Sequence, residues 1–256
     1  MRLLVDSGRP FYGTFVVLQD ATSVELAAAA GFDFVILDLE HSALSLERLQ
    51  CHMQTARGCG LGTMVRVSGH RPELILRVLE IGADGIIVPH VSGREEAKAV
   101  VSAARYAPLG ARGVYDCTRA GSYGAHGFAS YREYADAQNA AVVVAFLIED
   151  KEAVDKIKDV LSVDGVDLAI VGPADLSFSM GVGGTVGDAG VVAAIERVRV
   201  ACVERGVGFA VPPNHGTAPI SPERLLELGV KFFFRSSDAV SMLEGFRLRL
   251  ASMKSA

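Results

Sequence analysis

The sequence predicts a single (β/α)8 TIM barrel spanning residues 1–256. One pattern recurs four times, in which the tail of a helix is followed by a glycine and an apolar run: "AAAAGFDFVILD", "VLEIGADGIIVPH", "LSVDGVDLAIVGP" and "LLELGVKFFF". These runs are short, rich in Val, Ile and Phe and poorly alternating, which is typical of parallel strands covered on both faces. Eight strands alternating with helices need about 250 residues, and the chain has 256.

Filling the gaps between these repeats gives eight candidate strands. The glycines that precede four of them, Gly31, Gly82, Gly165 and Gly229, suit the left-handed residue that ends a helix. The predicted strands lie at about 12–17, 33–38, 61–67, 85–89, 141–148, 167–171, 207–211 and 231–235.

Residue signals also predict where helices begin between the strands. Thr22 and Glu25 have the spacing of a capping box, and Ser45 and Asp150 can each cap a helix. Pro72 fits a first helical turn, because its missing N–H needs no partner there. Two longer helices are predicted at about 188–205 and 238–253.

An open, doubly wound sheet is the structural alternative. It is disfavoured because no Gly-x-Gly-x-x-Gly follows the first strand. The glycine-rich "GVGGTVG" at 181–187 comes after a short helix and is interpreted as a loop. No linker or change of composition divides the chain, so one domain is predicted.

Composition and charge argue against several classes of function. The net charge of −5 comes from scattered acids and bases, which disfavours nucleic acid or an anionic membrane as a partner. The first residues, "MRLLVDSGRPFYG", lack a secretory pattern, and the longest apolar run, "AAVVVAFLI", has nine residues, too few to cross a bilayer. The four cysteines show no metal or redox spacing. We therefore expect a cytoplasmic protein with reduced thiols.

Polar side chains cluster where the predicted strands end. All strands of a parallel barrel point the same way, so their carboxyl ends meet on one face. The residues are Asp38, Glu40 and His41 after strand two, Arg66 at strand three, Glu149 after strand five, Asp175 after strand six, and Arg235 and Ser236 at strand eight. The strand starts carry no comparable set of acids and imidazoles. This asymmetry predicts an active site at the carboxyl ends.

Glu149 and Asp175 follow neighbouring strands, which lie about 5 Å apart in a sheet. Two carboxylates at that separation repel each other unless a proton, an arginine or a metal neutralises them. Their oxygens suit an octahedral cation such as Mg²⁺ or Mn²⁺. The alternative is that Glu149 merely starts a helix while Asp175 caps one, and the spacing favours neither interpretation.

Arg66 and the histidines allow similar alternatives. A guanidinium at the mouth of a barrel could hold a carboxylate or a developing oxyanion, or it could form a surface salt bridge. His41 has acids beside it that could orient it as an acid or base. His70, His90 and His215 also lie near strand ends, and spacing does not rank them.

Six motifs in a fixed order span nearly the whole chain. They are "GFDFVILDLEHS", "VRVSG", "VLEIGADGIIVP", "ARYAPLGARGV", "IED", and "VDLAIVGPADLS" followed shortly by "MG". Together they resemble the class II pyruvate-dependent aldolases of the HpcH/HpaI aldolase and citrate lyase family.

The resemblance implies roles for the residues at the strand ends. Glu149 and Asp175 would bind a divalent metal, with Mg²⁺ or Mn²⁺ expected and Co²⁺ or Zn²⁺ compatible. Arg66 would stabilise the enolate and grip the substrate. His41 would be the acid and base of the reaction.

The same resemblance implies the surroundings of His41. Asp38 and Glu40 would lie near it, and its partner acid would be Glu80, which is one methylene longer than the usual aspartate. The carboxylate of pyruvate would bind at the backbone of Gly172, Pro173 and Ala174, beside Asp175.

The implied activity is the reversible retro-aldol cleavage of a 4-hydroxy-2-oxo acid to pyruvate and an aldehyde. Examples are 4-hydroxy-2-oxoheptanedioate and a 2-keto-3-deoxy sugar acid, which would place this aldehyde-lyase in aromatic or sugar acid catabolism. The family also implies a hexamer, a trimer of dimers that exchange their last helix.

Two segments depart from the family and bear on the identity of the aldehyde. Arg235 and Ser236 stand where an apolar residue and a glycine are expected, and the loop at 212–222 is unlike that of the family. The alternatives to an aldolase are a lyase acting on citramalyl- or malyl-CoA type thioesters and a catalytically silent barrel that binds a partner.

Overall fold

Eight strands form one parallel sheet. They are β1 (Phe11–Val16), β2 (Phe34–Asp38), β3 (Gly62–Arg66), β4 (Gly85–Val88), β5 (Val143–Ile148), β6 (Leu168–Val171), β7 (Gly208–Ala210) and β8 (Phe232–Ser237). Their order in the sheet is β7-β6-β5-β4-β3-β2-β1-β8, and β7 lies next to β8 at the remaining seam. The nearly closed ring confirms the predicted (β/α)8 barrel.

Helices separate the strands and cover the outside of the barrel. They are α1 (Arg2–Asp6), α2 (Thr22–Ala29), α3 (Leu46–Gly58), α4 (Pro72–Glu80), α5 (Arg94–Ala104), α6 (Tyr131–Ala141), α7 (Lys151–Asp155), α8 (Ile157–Val160), α9 (Pro173–Ser179), α10 (Ala189–Arg205), α11 (Pro222–Glu227) and α12 (Asp238–Lys254), with a 3-10 turn at Ser122–Gly124. This computed structural model describes residues 1–125, 127–213 and 220–255. His215 and most of the loop at 212–222 lie outside the described residues.

Two of the predicted helix starts are confirmed. The Ser45 hydroxyl accepts a hydrogen bond from the Arg48 N–H at 3.2 Å, and Pro72 is the first residue of α4. The four glycines that end helices have positive φ angles between 82° and 99°, as their pattern predicts.

The other two predicted caps are wrong. Thr22 lies inside α2, and its hydroxyl donates to the Asp20 carboxylate at 2.6 Å instead of capping. Asp150 does precede α7, but its side chain makes no cap hydrogen bond. Its carboxylate lies 3.1 Å from Nδ1 of His90, because a nearby imidazole competes with the helix for this acceptor.

Aromatic rings fill the barrel interior at the amino-terminal ends of the strands. The rings of Phe34 and Phe232 lie 4.6 Å apart between centroids. A Cβ at Gly13 would overlap the Phe34 ring, so the glycine makes room for it. Met1 and Leu4, before and within α1, pack beneath this cluster and close that end of the barrel.

The last helix differs from those that cover the barrel. α12 follows β8 and buries none of its side chains. Its exposed apolar residues are Val240, Met242, Leu243, Phe246, Leu248, Leu250 and Met253. Among the described residues, no helix has both the length and the apolar character needed to cross a membrane.

Removing the Phe34 ring should destabilise the barrel. Phe34→Ala leaves a cavity where the side chain is fully buried, and such truncations cost about 3–5 kcal/mol of unfolding free energy. Urea denaturation followed by circular dichroism measures the loss. Phe178→Ala is the control because that ring is 67% exposed. Equal losses in the two variants would contradict this account of the core.

Candidate active site

A charged layer lies directly above the apolar interior of the barrel. Successive side chains of a strand point to opposite faces, so every second residue faces the interior. The inward positions step from Ile36 to Asp38 on β2, from Met64 to Arg66 on β3, and from Leu147 to Glu149 at the end of β5. The inward face of each of these three strands therefore ends in a charged group at the mouth of the barrel.

Asp38 and Arg66 form a two-point ion pair across β2 and β3. Nε and Nη2 of Arg66 donate to the two oxygens of Asp38 at 2.9 and 2.6 Å. Burial raises the pKa of the Asp38 carboxyl, but the hydrogen bonds and charge of Arg66 outweigh it, so the net pKa lies below its ordinary value. The guanidinium lies 4.7 Å from the centroid of the Phe15 ring. Arg66 thus pairs inside the barrel mouth and not at the protein surface.

The same carboxylate shapes the turn after β2. Asp38 Oδ1 accepts the backbone N–H groups of Glu40 and His41 at 3.0 and 3.4 Å. The Glu40 side chain lies inward, with Oε2 3.3 Å from Nε of Arg66 and 3.8 Å from Nε2 of His41. The His41 side chain is 65% exposed. The turn therefore presents His41 to the solvent side of the site and Glu40 to its interior.

Glu149 is, with Asp38, one of two buried acids at this rim. Its side chain is 4% exposed, and Oε1 accepts the His90 N–H at 3.2 Å. The pKa of Glu149 is raised to about 7, chiefly because the carboxyl is buried. The charges of Glu40 and Asp175 also raise this pKa, whereas His90 lowers it. A Cβ at Gly172 would lie 3.1 Å from Oε2 of Glu149. A glycine at 172 therefore leaves room for this carboxylate.

One open pocket of about 860 Å³ gathers most of the predicted site. It is lined by Asp38, His41, Arg66, Glu149, Gly172, Pro173, Ala174, Asp175, Arg235 and Ser236. Glu40 adjoins it through Arg66 and His41. Asp175 is an exposed residue in the first turn of α9. The carboxyl ends of the strands thus form one cavity.

Glu80 lies outside this pocket. It is the last residue of α4, which runs from the carboxyl end of β3 back towards the start of β4. Its Oε1 accepts a hydrogen bond from the buried Arg112 at 2.6 Å. Within one chain, the structure does not bring Glu80 to His41.

The backbone after β6, at residues 172–174, has fewer free N–H donors than its three residues suggest. The Gly172 N–H already donates to the Ile148 carbonyl at 3.0 Å, and Pro173 has no N–H. Ala174 is therefore the donor in this segment that an incoming carboxylate could use. Ser236, across the pocket, has a φ of 61°, a left-handed conformation that glycine adopts most easily.

The sequence did not single out His90 and Asp150. His90 follows β4 directly in "VPH", so its position at a strand end was the available signal. One ligand atom each from Glu40, His90 and Glu149 lies within 4.8 Å of the others, an arrangement that could hold a metal ion. His70 instead uses Nε2 in a 2.6 Å hydrogen bond with the Pro89 carbonyl. Of the histidines that spacing left unranked, the described site therefore uses His90.

Comparison with known proteins identifies the family of the chain. Residues 12–217 match the family model described as HpcH/HpaI aldolase/citrate lyase. The chain belongs to this family. A pyruvate aldolase of Rhizobium etli is 33% identical to it over 241 residues, which cover 93% of this chain and 91% of that protein. A 4-hydroxy-2-oxo-heptane-1,7-dioate aldolase of Salmonella arizonae is 33% identical over 241 residues, 93% of this chain and 88% of its own.

The family also includes proteins with a different name and a very similar structure. The crystal structure of citrate synthase SbnG superposes with a TM-score of 0.88 at 29% identity, covering 100% of this chain and 97% of that one. The relatives named as aldolases support a lyase. Because one fold can host different reactions, the barrel fold alone does not show which reaction this HpcH/HpaI family member catalyses.

Stability of the metal-free protein should depend on pH through Glu149. Since its pKa is raised from 4.5 to about 7, the folded protein holds a proton that the unfolded chain loses in that interval. The carboxyl therefore destabilises the fold increasingly as the pH rises through the window. Glu149→Gln removes this effect. The difference in melting temperature, variant minus wild type, should therefore rise between pH 4.5 and about 7 and stay constant at higher pH.

This comparison requires a chelator in every sample, because a bound cation would stabilise the charged carboxylate. Glu73→Gln, at an exposed glutamate of α4, controls for the general effect of losing one acidic group. A difference between Glu149→Gln and the wild type that does not change with pH would contradict the assigned burial of Glu149.

Proposed function

We propose that the protein is a metal-dependent class II aldolase that reversibly cleaves a 4-hydroxy-2-oxo acid to pyruvate and an aldehyde. The observation that carries this proposal is the meeting of Glu149, Asp175 and Arg66 in one pocket. Acids that can hold a cation, beside a fixed guanidinium, suit a substrate that is an anion and becomes an enolate. The aldolases of Rhizobium etli and Salmonella arizonae support the same chemistry.

The residues of the rim fit a divalent cation. Glu149 is buried with a raised pKa, so a cation nearby would stabilise its charged form. Oε2 of Glu40 is buried without a hydrogen-bond partner. We propose that Glu149 and Asp175 hold the metal, with Mg²⁺ or Mn²⁺ preferred by oxygen ligands and Co²⁺ or Zn²⁺ compatible. When bound, such a cation acts as a Lewis acid towards the 2-oxo acid.

Arg66 is placed to stabilise negative charge. Nε and Nη2 are occupied by Asp38, so Nη1 is the guanidinium nitrogen free of hydrogen bonds to described residues. Its orientation is fixed before the substrate arrives, and fixed donors stabilise a developing enolate without reorganising. In this proposal Nη1 donates to the oxygen that gains charge as the C3–C4 bond breaks.

His41 is the proposed base and acid. Its backbone is fixed by Asp38, and its exposed ring can reach the 4-hydroxyl of a substrate in the pocket, directly or through a water. Removal of the hydroxyl proton lets the C3–C4 bond break to give the aldehyde and the enolate, and protonation of the enolate at C3 then gives pyruvate. In the aldol direction, His41 returns a proton to the new 4-hydroxyl. Such proton transfer typically contributes about 10²–10⁴-fold. Glu80 could act as the partner acid of His41 only from a second subunit, because within one chain it pairs with Arg112.

The carboxylate of pyruvate is proposed to bind at the segment after β6. Ala174 supplies the backbone N–H, while Gly172 leaves space between this segment and Glu149. A mechanism through a lysine Schiff base has no support in the pocket. None of the described residues that line it is a lysine.

A second anionic group on the substrate is favoured by Arg235. Of the two arginines that line the pocket, Arg66 is paired with Asp38. Arg235 makes no ion pair with a described carboxylate, although Glu244 of α12 lines the same pocket. A free guanidinium at the aldehyde side suits a carboxylate at the far end of the substrate. This favours a dioate such as 4-hydroxy-2-oxoheptanedioate over an uncharged sugar chain.

Metal removal and loss of Asp175 should both abolish turnover. With 4-hydroxy-2-oxoheptanedioate as substrate, chelator treatment or Asp175→Asn should lower pyruvate release at least about 100-fold, because the enolate loses its Lewis acid. Added Mn²⁺ should restore the chelated wild type but not the variant. Asp164→Asn, at an exposed aspartate away from the pocket, should remain active. Full activity of metal-free protein would refute the metal assignment.

Replacing Arg235 should change substrate preference. Arg235→Ala should raise KM for 4-hydroxy-2-oxoheptanedioate about tenfold or more, the size of one lost charge-assisted hydrogen bond. KM for a 4-hydroxy-2-oxo acid with an uncharged chain should change little. Arg235→Lys should retain part of the preference. An equal loss for both substrates in steady-state assays would remove Arg235 from the aldehyde side.

Two alternatives predict different outcomes. A lyase for CoA thioesters should cleave a malyl- or citramalyl-CoA ester faster than free 2-oxo acids. It would need a basic groove for the nucleotide, which the net charge of −5 does not favour. A silent barrel should give no coupled binding of Mn²⁺ and pyruvate in calorimetry. The metal-competent group at the rim favours the aldolase over the silent barrel.

We also propose a homo-oligomer, a hexamer built from dimers in which α12 packs against a neighbouring subunit. The support is the apolar character of α12, whose Phe246, Leu248 and Met253 are 64%, 73% and 75% exposed in one chain. Large apolar side chains in such a run favour burial against protein. The cytoplasmic location of the protein stays a prediction.

A further inference from the structure

His90 has a backbone conformation that most residues avoid. Its φ is 56°, in the left-handed region that is uncommon outside glycine, although asparagine, aspartate and histidine adopt it more often than other residues. The His90 N–H donates to Oε1 of Glu149 at 3.2 Å, which holds the backbone in this conformation. The consequence is that the imidazole lies among three carboxylates, those of Glu40, Glu149 and Asp150.

The two ring nitrogens of His90 have different surroundings. Nδ1 lies 3.1 Å from Oδ2 of Asp150 and 3.4 Å from Oε1 of Glu149. Nε2 lies 4.0 Å from Oε1 of Glu40, beyond hydrogen-bond distance. A carboxylate beside Nδ1 favours the proton on that nitrogen and leaves the lone pair on Nε2. Histidines that bind metals commonly donate their other N–H to a carboxylate in this way.

The distances around the His90 imidazole suit an ion. Ligand atoms bound at about 2.1–2.3 Å to one ion lie about 3–4.5 Å apart. One atom from each of Glu40, His90 and Glu149 lies within 4.8 Å of the others, so only a small closure is needed. Oε1 of Glu40 is the oxygen on the side of His90, while the buried Oε2 lies 3.3 Å from Nε of Arg66. The group therefore combines two carboxylates with one oriented imidazole, so it offers a nitrogen ligand as well as oxygen ligands.

We propose that Nε2 of His90 is a nitrogen ligand of the cation held by Glu149, with Asp150 as the residue that positions the ring. This rests on the proposed metal-dependent function. An imidazole ligand is poor for Mg²⁺ and good for Mn²⁺, Co²⁺ and Zn²⁺. His90 thus biases the site towards transition metals, a preference that two carboxylates alone would not give.

The direct test is pulsed electron paramagnetic resonance of the Mn²⁺-loaded, otherwise intact protein. A nitrogen bound to Mn²⁺ modulates the electron spin echo. The wild type should show this modulation, His90→Asn should lose it, and His41→Asn should retain it. Loss in His41→Asn with retention in His90→Asn would assign the nitrogen to His41 and overturn the proposal. Absence of the modulation in Mn²⁺-loaded wild type would overturn it as well.

Metal affinities give a second measurement that is independent of activity. Competition titrations with Co²⁺ and Mg²⁺ should show the ratio of Co²⁺ to Mg²⁺ affinity falling at least about tenfold in His90→Asn. Asp150→Asn should keep the nitrogen modulation but weaken Co²⁺ binding about 10–100-fold, as expected for loss of a group that orients a ligand. An unchanged ratio in His90→Asn would count against the proposal.

The result for Glu149→Gln separates this inference from the proposed function. One outcome is that the wild type binds Mn²⁺ without nitrogen modulation and that Glu149→Gln no longer binds Mn²⁺. In that case the role of His90 is wrong, while the metal site at Glu149 stands. If the chelated wild type binds no Mn²⁺ at all, both fail. Circular dichroism of each variant confirms that the barrel is folded, and the wild-type spectrum remains decisive if His90→Asn does not fold.

Discussion

The alternation of side chains along parallel strands is the constraint on which the rest of the site depends. Each strand of the barrel presents every second residue to the interior, and all strands run in the same direction. Apolar inward residues therefore form a floor, and the next inward step brings Asp38, Arg66 and Glu149 together at one rim. A shift of one residue in any strand would turn its charged end towards the covering helices.

The ion pair between Asp38 and Arg66 connects fold and chemistry. The carboxylate is 1% exposed, and loss of one member of a buried pair leaves an uncompensated charge, commonly at a cost of about 3–5 kcal/mol. The pair also holds the turn that carries Glu40 and His41. Arg66 is therefore a structural residue before it is a candidate for enolate stabilisation, and the two roles share one guanidinium.

Much of the fold could be predicted because its signals are local. A glycine between a helix tail and an apolar run marks four of the boundaries, and residues such as Ser45 cap a helix through their own neighbours. The capping predicted for Asp150 failed because that rule considers only the following helix. The carboxylate was instead within reach of His90, a residue 60 positions away in the chain.

The sequence could predict which strand ends contribute residues to the candidate site, but it could not predict how their side chains are arranged. His90 could not be ranked above His70 because the difference lies in a left-handed backbone and a hydrogen bond to Glu149. Glu80 entered the predicted site through the family resemblance, whereas the direction of α4 places it at the other end of the barrel, paired with Arg112. Spacing along the sequence contains neither kind of information.

The most direct test of the central claim is a crystal structure with Mn²⁺ and pyruvate, measured at a wavelength where manganese scatters anomalously. The account predicts one strong anomalous peak at the rim, about 2.2 Å from carboxylate oxygens of Glu149 and Asp175, with pyruvate beside Arg66. A rim without an ion at saturating Mn²⁺ and pyruvate, or a peak bound elsewhere on the chain, would contradict it.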